Sequence, residues 1–261
     1  MAYDYLKAEL ENAVFTVTLT RPERHNAFDE TLIAEITDAI TWANASPHVR
    51  VIVLRGEGAS FCSGADLNWM KRVAAYSIEE NEADARIMQV MFETIANSPK
   101  VVVARVQGAA IGGGAGLVAT CDIAIAADDT RFAFSEVRLG IAPAVIAPYV
   151  LRKIGVGAAR ALFLTGERFG AAEAYRLGLV QNVVSSYELD AAVNDKITAL
   201  LQCSPAAITR IKQLVDDIVF QELSHAAPMT VRAIAELRVS AEGQEGIKSF
   251  LEKRKPNYAI D

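Results

Sequence analysis

The chain has 261 residues, 52% of them hydrophobic and 22% charged, which excludes a disordered polymer and is long enough to bury a real core. A net charge of −6 argues against a general nucleic-acid binder, which would carry a basic excess. The three cysteines and three histidines share no Cys-x-x-Cys or His-x-x-x-His spacing, so no metal site is expected.

The opening segment MAYDYLKAEL has no basic stretch leading into an apolar one, so no signal peptide is expected. The longest uncharged, mostly apolar stretch, near residues 141–151, is too short to cross a bilayer. Scattered thiols point to a reducing compartment, and the expected location is cytoplasmic. Two strands are predicted near residues 6–10 and 14–19. The loop RPERHNAF follows, with Asp29 as the N-cap of a helix that carries Leu32, Ile33, Ile36 and Ile40 on one face. Val51-Ile52-Val53-Leu54 reads as a buried strand, FCSGADLNWM as a loop, and residues 79–97 as a polar helix.

The organising stretch runs over residues 101–143. Val101-Val102-Val103-Ala104 has the continuous apolar character of a strand buried on both faces. Three glycines, Gly112-Gly113-Gly114, then precede a small, apolar run. A helix opening behind them presents unpaired N–H groups and the positive end of its dipole. That arrangement suits a developing negative charge, and Glu136 downstream is the nearby carboxylate for proton transfer beside a carbonyl. A dinucleotide fingerprint started at Gly112 meets Leu117 where its third glycine belongs, and no P-loop ending is present. Beyond residue 143, helices are predicted at 158–164 and 171–177 and a strand at 180–184. Four more helices follow, at 188–201, 205–222, 228–241 and 244–254. Strand–helix alternation followed by a helical tail gives an α/β core, residues 1–185, and a C-terminal α-helical region, residues 186–261.

RPERHNAF, FCSGADL, QGAAIGGGAGL, CDIAIA, FAFSEVRLGIAP, LTGERFGAAEAYRLGLV and EGIKSFLEKRKPNY occur in this order from Arg21 to Tyr258. Together they resemble the enoyl-CoA hydratase/isomerase (crotonase) family. The resemblance implies a spiral of ββα units, homotrimers that pair into hexamers, and an acyl-CoA thioester substrate. It implies no separate cofactor, since coenzyme A is part of the substrate, and no nucleic-acid or membrane partner. It places an oxyanion hole at the backbone N–H groups of Ala65 and Gly113, where the glycines already suggested one. Asp66 and Leu67 then line the CoA path, Arg24 and Ala27 grip the nucleotide end, and Phe250 and Lys253 contact CoA from a C-terminal helix.

Two departures stand out. Hydratases of this type carry two glutamates, yet the first position is Gly116 here, leaving Glu136 alone. Hydration has to deprotonate a water and protonate the α-carbon; an isomerase moves one proton and manages with a single acid. Restoring a glutamate at position 116 is expected to raise hydration. The second departure is Pro143-Ala144-Val145-Ile146-Ala147-Pro148, which stands where common hydratases have a glycine-rich run and implies a more apolar acyl pocket. Details of GADLNWM and SEVRLG resemble a methylglutaconyl-CoA hydratase-like branch, whose substrates carry a second carboxylate; Lys71 and Arg72 are the cations nearest the Ala65 loop in sequence. Hydration of a branched enoyl-CoA leads. A Δ3,Δ2-enoyl-CoA isomerase and a non-catalytic RNA-binding member are the alternatives. A nucleophilic hydrolase using Ser63, Ser135 or Cys62 lacks the Gly-x-Ser-x-Gly setting.

Overall fold

A computed structural model describes residues 3–260. Its contacts divide the chain into two compact units, Met1–Val193 and Asn194–Asp261. The boundary expected near Ser186 lies in the turn after the last strand.

In the first unit β1 (Leu6–Glu11) and β2 (Val14–Leu19) form a hairpin, followed by α1 (Glu30–Ala45). Asp29 caps α1 by accepting from the Leu32 N–H at 3.1 Å, and Leu32, Ile33, Ile36 and Ile40 are buried, as their spacing predicts. β3 (Val51–Gly56) leads to α2 (Leu67–Val73) and α3 (Ile78–Ala96). α3 opens on a reciprocal cap between Ser77 and Glu80. The segment expected to be a loop thus contains the start of α2, which begins because Asp66 accepts from the N–H groups of Asn68 and Trp69.

Next come β4 (Val101–Val106), β5 (Ala109–Ile111), α4 (Gly113–Thr120), β6 (Ile123–Ala127), β7 (Arg131–Ala133) and α5 (Ala147–Thr165). β8 (Arg168–Gly170), α6 (Ala171–Leu177), β9 (Asn182–Val184) and the start of α7 (Leu189–Leu201) complete the unit. Strands β1-β2-β3-β4-β6-β9 form one sheet, parallel from β2 onward, and β5-β7-β8 form a smaller one. Two successive turns of the chain share one logic: β4-β5-α4 and β6-β7-α5 each place one strand in the large sheet, the next in the small sheet, and then a helix. This is the expected ββα spiral. The apolar runs of β3 and β4 are buried along nearly their whole length, in central positions of the large sheet between β2 and β6. β5 and β7 escape notice in the sequence because three residues are too few to show a period. α5 begins earlier than predicted and is interrupted at Gly155, whose φ of 76° no helix contains.

The second unit holds the end of α7 with α8 (Pro205–Ile218), α9 (Leu223–Val239) and α10 (Ala241–Leu251). α9 starts ahead of Pro228, which therefore lies inside the helix instead of opening it. α10 starts at a Ser240 cap that accepts from the Gly243 N–H at 3.0 Å.

Candidate active site

Backbone pairing in three loops builds the site. The loop after β3 runs beside β5, with the Cys62 N–H donating to Ala109 O at 3.0 Å and the Ile111 N–H donating to Cys62 O at 3.0 Å. The same loop runs beside residues 25–28. The Ser63 N–H donates to His25 O at 3.0 Å, Phe28 N–H to Gly64 O at 2.8 Å, and Asp66 N–H to Phe28 O at 2.9 Å. Ala65 is thus held from both sides, while its own N–H has no backbone acceptor among the described residues.

Gly112 turns the chain from β5 into α4 with φ 54° and ψ −122°, a conformation side chains resist. Its N–H donates to Ala133 O at 2.8 Å, which ties the turn to the small sheet. Gly113 is the first residue of α4, so its N–H has no intrahelical partner, and none is found among the described residues. A Cβ on Gly64 would lie 3.6 Å from the Gly113 nitrogen. The two loops therefore meet where Ala65 and Gly113 sit. Both residues are partly exposed, while Gly64, Asp66, Gly112 and Gly114 around them are buried.

Glu136 opens a short 3-10 turn, Glu136–Leu139, behind β7. Its Oε1 would be 3.0 Å from a Cβ on Gly112, closer than ordinary contact, so the glycine keeps that space for the carboxylate beside the mouth of α4. Its Oε2 is buried with no hydrogen-bond partner among the described residues. Burial pushes the carboxyl above its ordinary 4.5, and a hydrogen bond to backbone only partly offsets this. Arg138 does not contribute to that shift. A half-buried carboxylate with one oxygen lacking a partner among the described residues, next to two idle amides, can take up a proton and return it.

The remaining sequence candidates fall in different places. Asp66 faces inward: burial favours its neutral form, but the Asn68 and Trp69 N–H groups together with Arg21 and Arg24 hold it below its ordinary 3.8. Leu67 is 71% exposed at the start of α2. Arg24 is exposed on the same loop as buried Ala27. Arg72 is engaged by Glu30 at 2.6 Å, and Lys71 is exposed. In the second unit Phe250 is 82% exposed on α10, and Lys253 just beyond it has a left-handed φ of 53°. The adjacent Arg254 is held by Glu245 at 2.6 Å and Glu252 at 2.7 Å, so the basic tail is partly neutralised. Cys62 is fully buried and its thiol is pushed up to about 12 by that burial, which suits packing and not nucleophilic attack.

Two features escaped the sequence. Arg21 is 8% exposed beneath the Ala65 loop, and nothing in its spacing signalled a buried cation. Ile146 packs directly over Gly116. A separate cleft of about 520 Å³ between α3 and α5 is lined by Gln89, Glu93, Val145, Tyr149 and Arg152, among others. It includes none of Glu136, Gly113 and Ala65.

The spiral fold and this cluster of loops define a crotonase-type protein. Residues 9–260 match the family described as Enoyl-CoA hydratase/isomerase. A crotonyl-CoA hydratase from Syntrophomonas wolfei is 33% identical over 99% of both chains. A peroxisomal Delta(3,5)-Delta(2,4)-dienoyl-CoA isomerase from Arabidopsis thaliana is 31% identical over 98% of this chain and 96% of its own. The crystal structure of an enoyl-CoA hydratase from Shewanella pealeana superposes with a TM-score of 0.94 at 39% identity, covering 97% of this chain and 96% of that one. The chain belongs to the enoyl-CoA hydratase/isomerase family, in which both reaction names occur among its relatives.

Proposed function

We propose that the chain adds water to, or removes it from, the α,β double bond of a branched enoyl-CoA, with Glu136 as the acid/base and the Ala65 and Gly113 amides as the oxyanion hole. The observation that carries this is the position of Glu136: a half-buried carboxylate whose Oε2 has no partner among the described residues lies against Gly112, one residue from the Gly113 N–H at the mouth of α4. In hydration Glu136 takes a proton from water as the hydroxyl oxygen bonds to the β-carbon. The electron pair moves onto the thioester oxygen, where the two amides stabilise it, and the enolate then recovers the proton at the α-carbon. Losing one such donor raises a barrier by about 3 kcal/mol. Ile146, packed over Gly116 on the same helix that Gly113 opens, supports an apolar acyl pocket and a branched acyl group of the 3-methylglutaconyl type. Lys71, exposed near the Ala65 loop, is the candidate cation for that group's second carboxylate. Phe250 and Lys253 are assigned to CoA in a homotrimer or hexamer, which light scattering would count.

A second reading is favoured by Ile146 filling the space over Gly116: a Δ3,Δ2-enoyl-CoA isomerase. Glu136 would then take a proton from the α-carbon and return it at the γ-carbon with no water. Turnover of crotonyl-, 3-methylcrotonyl-, 3-methylglutaconyl- and 3-enoyl-CoA in heavy-oxygen water separates the two. Labelled 3-hydroxyacyl-CoA is the expected product. An unlabelled, shifted double bond means isomerase, and no turnover of any of the four overturns both.

A further inference from the structure

We propose that Arg21, which touches no reacting atom, is the positioning residue that aims the Ala65 amide. The inference rests on Ala65 being an oxyanion donor. Arg21 follows β2 and lies under the crossing of the two loops that bracket Ala65. Its Nη1 donates to Ala27 O at 2.8 Å and pairs with Asp29 at 3.0 Å; its Nη2 reaches Asp66 Oδ2 at 3.4 Å. Ala27 precedes Phe28, the residue bonded on both sides of Ala65, and Asp66 directly follows Ala65. One guanidinium therefore holds the chain neighbour of each member of the Phe28–Ala65 bridge, Ala27 on one side and Asp66 on the other.

The grip is planar and directional. The Arg21 backbone N–H is fixed by Asn26 Oδ1 at 2.9 Å, and its Cζ stacks 4.3 Å from the centre of the Tyr5 ring. Asp29 and Asp66 are also the N-caps of α1 and α2, so the same cation sets where both helices start. A fork with fixed donor angles does this; a lysine supplies the charge without the geometry. Arg21 Nε has no partner among the described residues, so the guanidinium is placed for its two Nη groups, at the expense of one buried donor.

The distinguishing readout is affinity for acetoacetyl-CoA, whose enolate bears charge where the oxyanion hole binds it, set against affinity for CoA, which lacks that charge. With R21K, acetoacetyl-CoA binding is expected to weaken about 10- to 100-fold, the range for a sub-ångström to ångström misplacement, while CoA binding stays within about twofold. kcat is expected to fall with KM nearly unchanged. D66N keeps a capping oxygen but loses the charge, and is expected to shift the same ratio in the same direction by a smaller factor. D66N decides the matter if R21K does not fold. An unchanged affinity ratio in the folded variants overturns the positioning role and leaves the oxyanion assignment standing. If the unaltered protein binds acetoacetyl-CoA no better than CoA, the oxyanion assignment fails, and the role of Arg21 with it.

Discussion

A side chain on Gly116 would collide with Ile146: its Cβ would lie 2.3 Å from Ile146 Cγ2 and 2.9 Å from Ile146 Cβ, with the Phe92 ring 3.3 Å away. Position 116 lies one helical turn beyond Gly112 on the same face of α4, since the Gly116 N–H donates to Gly112 O at 3.0 Å. Along that face Glu136 covers one glycine and Ile146 covers the other. The two departures seen in the sequence, a glycine in the helix and bulk in the following loop, are one packing arrangement.

Restoring an acid at position 116 by itself therefore changes from a gain to a loss. G116E is expected to cost about 1–3 kcal/mol through overpacking, because a β-branched isoleucine pinned in the core cannot swing aside. Hydration should not rise. Adding I146A should recover most of the stability and give the acid room. Thermal melts with crotonyl-CoA hydration assays on the single and double variants decide this; a stable, faster G116E protein would refute the steric coupling.

Glu136 should show a trade between stability and activity. Its carboxyl is raised by burial, so its contribution to stability is fully present below the ordinary 4.5 and is lost as pH rises through the folded value. E136Q should accordingly melt higher than the unaltered protein at neutral pH, with the difference vanishing near pH 4. Turnover should fall by at least about 100-fold, the scale of a lost general acid/base. The ionised form is the base, so the rate of the unaltered protein should climb with pH across the same window. An E136Q protein with undiminished turnover would remove the mechanism.

Asp66 should behave in the opposite sense. Burial works against its charge, yet the Asn68 and Trp69 N–H groups and the two arginines win, leaving it below 3.8. Its stabilisation is present above that ordinary value and is lost as pH falls through the folded one. D66A should lose about 1–2 kcal/mol at pH 7, the range for a helix N-cap, and progressively less in acid. Chemical denaturation across pH measures this; a pH-independent deficit would mean the cap matters and the charge does not.

Thiol chemistry offers an independent check on the core. Cys62 and Cys121 are buried and Cys203 is exposed. Iodoacetamide is expected to label Cys203 alone in the folded protein and all three after unfolding. Native labelling of Cys62, read by peptide mass spectrometry, would contradict the packing of the Ala65 loop.

Much of the spiral and its chemistry was written in linear order. Capping side chains, apolar periods and the triple glycine act over a few residues, so Asp29 starting α1, the buried β3 and β4, and Gly113 opening α4 can all be read from neighbours in the chain. Glu136 was singled out as the carboxylate downstream of the glycines that an apolar wall follows, unlike Asp122, Asp128 and Asp129 in the same segment.

What the chain folded back to decide was everything that depends on volume or burial between distant segments. No local signal announces that Ile146 fills the room over Gly116, that Arg21 enters the core between Asp29 and Asp66, or that Glu136 keeps one oxygen without a partner among the described residues. Short strands such as β5 exist through pairing with distant segments, β7 on one side and the Cys62 loop on the other, and α2 exists because Asp66 is turned inward as its cap. Local conformational preference belongs to sequence neighbours; excluded volume and desolvation belong to whichever atoms folding brings together.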